Sequence, residues 1–381
     1  MSESADIVIV GGGPVGSALV LALQAAQRNV VLLEARATDS GDARPLALSY
    51  GSRLILERLG VWPELAAAAT PIRHIHVSQR GGFGRVSLHA KEAGLPELGY
   101  VVDYGHLARQ LAQAASATAA TCLGGATVTA WQGGDPARAE YVCAGDRQCI
   151  TAPLLVIADG AANAADMRTV DYRQCAVTAR ITGERAHDHV AYERFTRHGP
   201  LALLPDGAGW ALVWTTAPER AQQLCAVEPA AFLDELQTEF GGRAGHFTGV
   251  SGRAAYPLRL RQARHGDSAG VVRIGNAAQT LHPVAGQGFN LGLRDAWELG
   301  EHIIATKEAD APGSSAWLET YRARRRLDRR GSTGFTHALV QLFSNDLPPL
   351  RAARGLGLTL LGSLPPLKDF VVRRMTFGAR G

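Results

Sequence analysis

The run Gly11-Gly12-Gly13-Pro14-Val15-Gly16 is the densest group of residues able to cradle a ligand, and its flanks say which ligand. It follows Ile7-Val8-Ile9-Val10, a β-branched run that reads as a strand buried on both faces, and precedes the helix-forming run Ser17 to Leu23. A second strand, Val30-Val31-Leu32-Leu33, ends at Glu34, 18 residues after Gly16. In such a strand–helix–strand unit Gly11 permits the tight turn, Gly13 lets backbone approach a pyrophosphate, and Gly16 lets the helix pack on the strand. Free N–H groups at the helix N-terminus face the anion, and Glu34 accepts both hydroxyls of an adenosine ribose. A structural glycine turn would account for the glycines but not for the acid in register behind them. Glu34 disfavours a 2′-phosphate, so the unit reads as a site for FAD or NAD, and a place at the start of the chain is common among FAD enzymes.

Two more buried strands end in polar turns. Leu154 to Ala158 ends in Asp159-Gly160, and Val271 to Ile274 ends in Gly275-Asn276, continuing through Pro283-Val284-Ala285-Gly286-Gln287-Gly288-Phe289-Asn290 into a helix carrying Asp295. Taken singly, each is compatible with an ordinary turn. Together with the first unit they resemble the flavoprotein monooxygenases of the para-hydroxybenzoate hydroxylase type, across residues 5–330. More narrowly, Arg44 to Ser49, Glu193 to Thr196 with Gly199 to Pro205, and Gly275 to Asp295 resemble the ubiquinone-biosynthesis branch, the hydroxylases of polyprenyl methoxyphenols.

The resemblance implies that Gly11, Gly13, Gly16 and Glu34 hold the adenosine end of FAD, that Arg44 approaches its pyrophosphate and ribityl region, and that Arg109 is a further contact. Asp159 and Gly160 are placed near the pyrophosphate and the path of NADH or NADPH, the reductant. Gly275 and Asn276 fall at the ribityl chain, while Pro283, Gly286, Gly288 and Asn290 line the isoalloxazine. The chain departs from the wider family at Asn276, where an Asp is usual, and at Asn163 and Asp166, where Ser and Arg are frequent. An arginine contact to the nicotinamide cofactor therefore does not carry over there, although Arg168 is close in sequence.

The chemistry implied is NAD(P)H reduction of the flavin, addition of O2 at C4a, and delivery of the terminal oxygen of the hydroperoxide to an electron-rich phenol, with water kept out. A base that ionises the phenol would help. His282 is the candidate, with a histidine satisfied by backbone as its plainer reading. Two other functions stay open: a flavin-dependent prenyl-chain reductase, and a non-catalytic FAD-binding accessory or scaffold subunit of a biosynthetic complex. A flavin halogenase is disfavoured because no WxWxIP motif occurs.

Positioning these groups calls for an α/β fold: a Rossmann-like FAD-binding domain, an inserted antiparallel-sheet substrate domain and a C-terminal helical tail. The expected division is 1–71, 100–170 and 263–320 for the FAD-binding part, 72–99 and 171–262 for the substrate part, and 321–381 for the helical region. Period-2 patterning over Ile72 to Ser87 and the aromatics of 172–262 suggest sheet throughout the substrate part. Gly133 to Pro136 and Gly145-Asp146 read as hairpin turns, and a helix is expected from Ser315 through Tyr321.

Composition narrows the class. Charged residues make up 19% of the 381 and the net charge is +4, which argues against a nucleic-acid partner. Five scattered cysteines without CxxC spacing read as reduced thiols, with no metal site, in a cytoplasmic protein. Neither a spanning segment nor a signal peptide is expected. The last sixty residues carry +9 against −5 for the rest, so an acidic body ends in a basic, apolar tail. That tail reads either as a solvated helix with a packing segment or as a surface for the inner membrane or a partner protein.

Overall fold

Five short strands pair in parallel in the order Val271–Arg273, Leu154–Ile157, Ile7–Val10, Val30–Glu34, Thr121–Gly124. The computed structural model describes residues 3–36, 42, 44–160, 167–263, 268–280, 287–306, 311–343 and 348–378. Alternate side chains of the parallel sheet serve two layers. Ile7, Ile9, Leu32 and Val156 pack under helices Pro14–Ala22, Tyr104–Ser116 and Gln287–Ile304, while Val8, Val31, Leu33 and Leu155 pack on an antiparallel sheet containing Tyr141 and Ile150. That sheet is built by Thr127–Gln132, Ala137–Cys143 and Asp146–Ala152, joined by the two expected hairpin turns.

A second, eight-stranded sheet runs in the order Gln279–Thr280, Phe247–Ala263, Met167–Gly183, Gly209–Thr216, Gly199–Asp206, Val190–Thr196, His74–Gln79, Arg85–His89. All its pairings are antiparallel except that of Val190–Thr196 with His74–Gln79. One face buries Val177, Leu201, Leu203, Trp210 and Trp214 beneath helices Pro218–Ala226 and Pro229–Phe240. These two helices correct the reading of 171–262 as sheet alone. Each starts with a proline in its first turn, and Phe232, Leu236 and Phe240 recur at helical spacing, a signal masked by the aromatic alternation of the strands around them.

A three-stranded sheet, Pro45–Ser49, Gly99–Asp103 and Thr70–Ile72, lies between the two large ones. Val101 and Ile72 from it pack on Ala191, Ile75 and Leu204 of the eight-stranded sheet, and this sets the sheet's other face toward the nucleotide-binding part.

The C-terminal region is helical: Ser315–Phe343, Pro348–Ser363 and Pro365–Phe377. The first helix runs far past Tyr321 because its arginines are neutralised from below. Arg325 is 1% exposed and binds Asp295 at 2.8 Å, Glu298 at 2.8 Å and Asp328 at 2.9 Å. Arg329 reaches Asp295 at 3.0 Å, and Arg294 reaches Asp328 at 2.9 Å. Outside the core, Arg326 pairs with Glu319 at 2.8 Å. The basic run 322–330 is therefore in part an internal ion-pair layer and not simply a charged surface, which corrects the reading of the tail from its charge count. The last two helices dock through Leu358 and Val372 against Val86, Leu88 and Leu98, and through Phe377 edge-on to Tyr50 at 6.5 Å. Leu356, Leu360, Leu364, Leu367 and Phe370 stay exposed.

Asp295 is fully buried, so Asp295→Asn leaves two guanidinium groups facing a neutral amide. The expected cost is about 3 kcal/mol or more, read as a lower midpoint in urea denaturation. An unchanged midpoint would mean that the pairs contribute no net stability.

Candidate functional site

The three glycine-bearing turns meet at the C-terminal ends of adjacent parallel strands. Gly11 has φ +101°, and a Cβ there would stand 2.7 Å from the Asp159 nitrogen, so the turn after Ile157 crosses the first turn at a distance only glycine permits. A Cβ on Gly16 would stand 1.9 Å from the Gly11 oxygen, which seats helix Pro14–Ala22 directly on that turn. Gly275 lies against Val15, and a Cβ on Gly160 would come within 3.4 Å of that of Asn276. Asp159, Gly160 and Asn276 are exposed at this junction.

At its centre the backbone is left open. Gly13 caps helix Pro14–Ala22 with no side-chain acceptor, and a Cβ on it would meet only Arg36, at 3.9 Å. The first N–H groups of the helix are thus uncapped and approachable, as an anion site requires. Glu34 stands beside them. Its Oε2 accepts from the Gly12 N–H at 2.5 Å, and its Oε1 accepts from the Arg36 N–H and Nε at 3.0 and 2.9 Å. Glu34 in turn raises the pKa of the Arg36 guanidinium. A cleft of about 420 Å³ opens here, lined by Gly13, Glu34, Arg36, Tyr104, Arg109 and Gln113. An uncapped helix end, an acceptor at the end of the second strand and a cleft of this size fit a dinucleotide.

Arg36 and Tyr104 are absent from the sequence-based set. Tyr104 opens helix Tyr104–Ser116 behind Asp103, whose side chain accepts from the His106 N–H at 2.9 Å. The Asp-Tyr-Gly-His pattern of a capped helix was the signal available for it. Burial pushes the Tyr104 hydroxyl up in pKa.

The remaining expected residues separate. Arg44 grips Asp42 through Nε at 2.9 Å and Nη2 at 2.6 Å, and its guanidinium lies over the rings of Tyr104 at 5.6 Å and Tyr256 at 5.0 Å. It therefore bridges the adenosine cleft to the eight-stranded sheet. Asn290 is buried and serves as a clamp: its Oδ1 accepts from the Ser49 N–H at 2.9 Å and the Ser52 hydroxyl at 2.6 Å, while its amide donates to Ala47 at 3.0 Å. Gly288 borders open space in the first turn of helix Gln287–Ile304. His282, Pro283 and Gly286, with Asn163 and Asp166, lie outside the described residues; Arg168 is exposed on strand Met167–Gly183.

The sheet face turned toward this junction is unlike its other face. Val77, Glu193, Ala202, Val213, Thr178 and Ala254 form a row across adjacent strands, and every one of them is half-buried. This face is tied to the nucleotide-binding part by Arg44, whose guanidinium lies 5.0 Å from the Tyr256 ring, and by Arg180, 3.4 Å from Asp103. A separate polar cleft of about 730 Å³ contains none of the glycine-turn residues and includes His76, which burial pushes down to about 4.

The family model described as an FAD binding domain matches residues 4–333. Ubiquinone hydroxylase UbiL of Rhodospirillum rubrum is 35% identical, over 97% of this chain and 89% of its own. The 3-demethoxyubiquinol 3-hydroxylase of Escherichia coli is 32% identical, over 94% of each chain. The crystal structure of p-nitrophenol 4-monooxygenase from Pseudomonas putida superposes with a TM-score of 0.80 over the whole of both chains, at 18% identity, which is a likeness of fold.

Glu34→Gln keeps the size of the side chain and removes its charge. With hydrogen bonds to charged groups contributing about 1.5–3 kcal/mol, the Kd for FAD is expected to rise roughly tenfold to a hundredfold in a flavin-fluorescence titration. A value within about twofold of the parent would take Glu34 out of the ribose site.

Proposed function

The chain belongs to the FAD-binding family that includes the ubiquinone hydroxylases, and from that premise we propose that it hydroxylates a polyprenyl methoxyphenol, using NADH or NADPH and O2. It is an FAD-dependent monooxygenase of ubiquinone biosynthesis. The observation that supports the substrate reading is a sheet face of mostly small, half-buried side chains turned toward the part of the molecule that carries the glycine turns and Glu34.

When bound, FAD supplies the redox chemistry, passing reducing equivalents from NAD(P)H to O2. The chain's own residues hold and screen. Glu34 takes the adenosine ribose hydroxyls, and the uncapped N–H groups behind Gly13 take the pyrophosphate. Asn276 offers an amide to the ribityl hydroxyls, with Asp159 and Gly160 beside it. Arg44, anchored by Asp42 and the two tyrosine rings, stands on the pyrophosphate side of the site. The substrate gains one oxygen atom in place of a ring hydrogen, the second atom leaves as water, and NAD(P)H with one solvent proton supplies the two electrons and two protons needed. Walls of alanine, valine and threonine keep bulk water from the reacting carbon.

A prenyl chain partitions into a bilayer, and the tail carries a suitable surface. Leu356 and Leu360 are one helical turn apart, Leu364, Leu367 and Phe370 continue the exposed row, and Arg373 follows on the same helix. This surface is proposed to rest on the membrane, with a protein of the same pathway as the competing occupant. No helix among the described residues is long and apolar enough to cross a bilayer.

Two measurements test these readings. With 2-geranyl-6-methoxyphenol, NAD(P)H and labelled O2, the FAD-loaded protein should give a ring product carrying one labelled oxygen; label confined to peroxide or water would sink the hydroxylase reading. The double variant Leu360→Asp, Phe370→Asp should lose co-sedimentation with phosphatidylglycerol vesicles while its FAD spectrum is unchanged. Vesicle binding that survives both aspartates would rule out this surface, and a parent protein that ignores vesicles would favour the protein partner.

A further inference from the structure

We propose that the polar cleft of about 730 Å³ between the outer strands of the eight-stranded sheet and the tail helices binds the headgroup of an anionic phospholipid, its phosphodiester held by Arg85, Arg194 and Arg243. The proposal rests on the membrane reading of the tail above and gives the lipid a defined site, apart from the glycine turns.

Strand register builds the floor. Arg194 on strand Val190–Thr196 stands level with Ser78 on His74–Gln79, and Ser78 with Arg85 on Arg85–His89. Paired positions share a face, so two guanidinium groups flank one serine, each from a strand about 4.8 Å away. Tyr192, His76 and Ser87 form the next row on that face, and Tyr192 packs edge-on to Phe240 at 5.4 Å, which identifies it as the helix-covered side of the sheet. Arg243 follows helix Pro229–Phe240 and lines the cleft from that end.

The tail makes the opposite wall. A Cβ on Gly84 would stand 2.2 Å from the Gly355 oxygen, so helix Pro348–Ser363 lies against the turn at 81–84 with no side chain between them. Thr359, Ser363 and Lys368 complete the lining.

Positive charge in the cleft is unmatched. Lys368 is neutralised by Glu92 at 2.7 Å, but Arg85 and Arg243 have no acidic partner among the described residues, and Arg194 Nε donates to the Glu239 carbonyl at 3.1 Å. The Glu239 carboxylate is taken by Arg80. Burial lowers the pKa of Arg194, and the charges of Arg80 and Arg243 lower it further. Burial, with Arg243 and Arg85 adding to it, holds His76 at about 4, so that imidazole is neutral at pH 7 and adds no charge. His89, the other imidazole of the cleft, stacks on His74 at 3.9 Å. Guanidinium groups gathered in this way favour an anion, and phosphate oxygens match their donor forks.

The rim of the cleft selects among phosphates. At about 100° per helical residue, Leu356 comes within about 20° of Ser363 around the helix and Leu360 within about 60°. Both leucines are exposed, and Leu364 and Leu367 continue the apolar edge. A ligand whose phosphate sits between the arginines therefore leaves the cleft along leucines. Acyl chains fit that edge, whereas a soluble phosphate ester would leave it bare.

The test uses the full-length FAD-loaded protein and dihexanoyl-phosphatidylglycerol, a lipid soluble as a monomer, titrated by calorimetry. The parent should bind it, more weakly as salt is raised, and should bind dihexanoyl-phosphatidylcholine less tightly because choline adds a cation. The double variant Arg85→Ser, Arg243→Ser should raise the Kd about tenfold or more with the flavin spectrum unchanged. Arg28→Ser with Arg147→Ser removes two exposed arginines outside the cleft and should leave the Kd as it was. No loss in the first double variant, or equal loss in both, overturns the site. A parent that binds glycerophosphoglycerol, the same headgroup without acyl chains, as tightly as the lipid overturns the lipid as occupant. Should the first double variant fail to hold FAD, Ser363→Glu decides: a carboxylate on the rim should weaken binding, and an unchanged Kd overturns the proposal. The membrane reading fails separately. A parent that binds the monomeric lipid but not phosphatidylglycerol vesicles overturns that reading alone, and one that binds vesicles but not the monomeric lipid overturns the cleft alone.

Discussion

One buried carboxylate, Asp295, joins the parts that the site requires. Its Oδ2 accepts the Gly275 N–H at 3.2 Å and so holds the third turn in place, while Oδ1 takes Arg325 at 2.8 Å and Arg329 Nε at 3.1 Å. Tyr321 donates its hydroxyl to the Asp295 carbonyl at 3.1 Å, and the carboxylate with burial carries that hydroxyl's pKa well above its usual value. Arg329 also donates to the carbonyl of Arg273, the last residue of the strand that leads into Gly275. Through one side chain the ribityl end of the cradle, the long helix Gln287–Ile304 and the first tail helix share one set of positions. Arg325 also has Glu298 and Asp328, and Arg329 the Arg273 carbonyl, but Asp295 is a carboxylate that both cations share, so it sets where the tail starts as well as where the third turn ends.

The eight-stranded sheet supplies the other half of the design through a contrast between its faces. Trp210, Leu212 and Trp214 project to one side and are covered by two helices, which gives the sheet a core of its own. Ala211, Val213 and Thr215 alternate with them on the other side. A strand buried under helices on both faces would need bulk on both. Here the second side carries small residues, with Ala211 and Thr215 fully buried and Val213 half-buried, and the sheet takes its bulk from the helix-covered side.

How far this could be seen in the sequence depends on how local each cause is. The strand–helix–strand unit with Glu34 declares itself because turn, helix entry and acid lie within 35 residues, and each uses a residue type few others can replace. The turns at Asp159 and Gly275 gain meaning only beside it, since their role is to touch Gly11 and Val15 across the sheet. The tail arginines misled because a charge count cannot see Asp295, Glu298 and Asp328 arriving from the facing helices. Asn290 was read as a flavin-loop residue; the structure adds hydrogen bonds to Ala47, Ser49 and Ser52, partners about 240 residues away in sequence that no local pattern announces.

The tail therefore has two surfaces, and the membrane contact proposed for the outer one is a separate duty from the packing of the inner one. Its inner side reaches the site: Val372, Met375 and Thr376 line a small cavity of about 70 Å³ together with Ser49, Gln287 and Asn290, where the Asn290 clamp holds helix Gln287–Ile304 to strand Pro45–Ser49. Its outer side carries the exposed leucines and Phe370. Removing helix Pro365–Phe377 would open that cavity as it removes the outer surface, so loss of activity after truncation would not distinguish a membrane anchor from a wall of the site. Substitutions confined to the outer row leave the inner packing of Val372 with Val86 and Leu88 intact, and separate the two duties. The placement also bears on a substrate with a ring at one end and a prenyl chain at the other. One helix borders both the small cavity beside Asn290 and the exposed apolar row, so the membrane contact proposed above and the expected ring site would meet opposite sides of a single element.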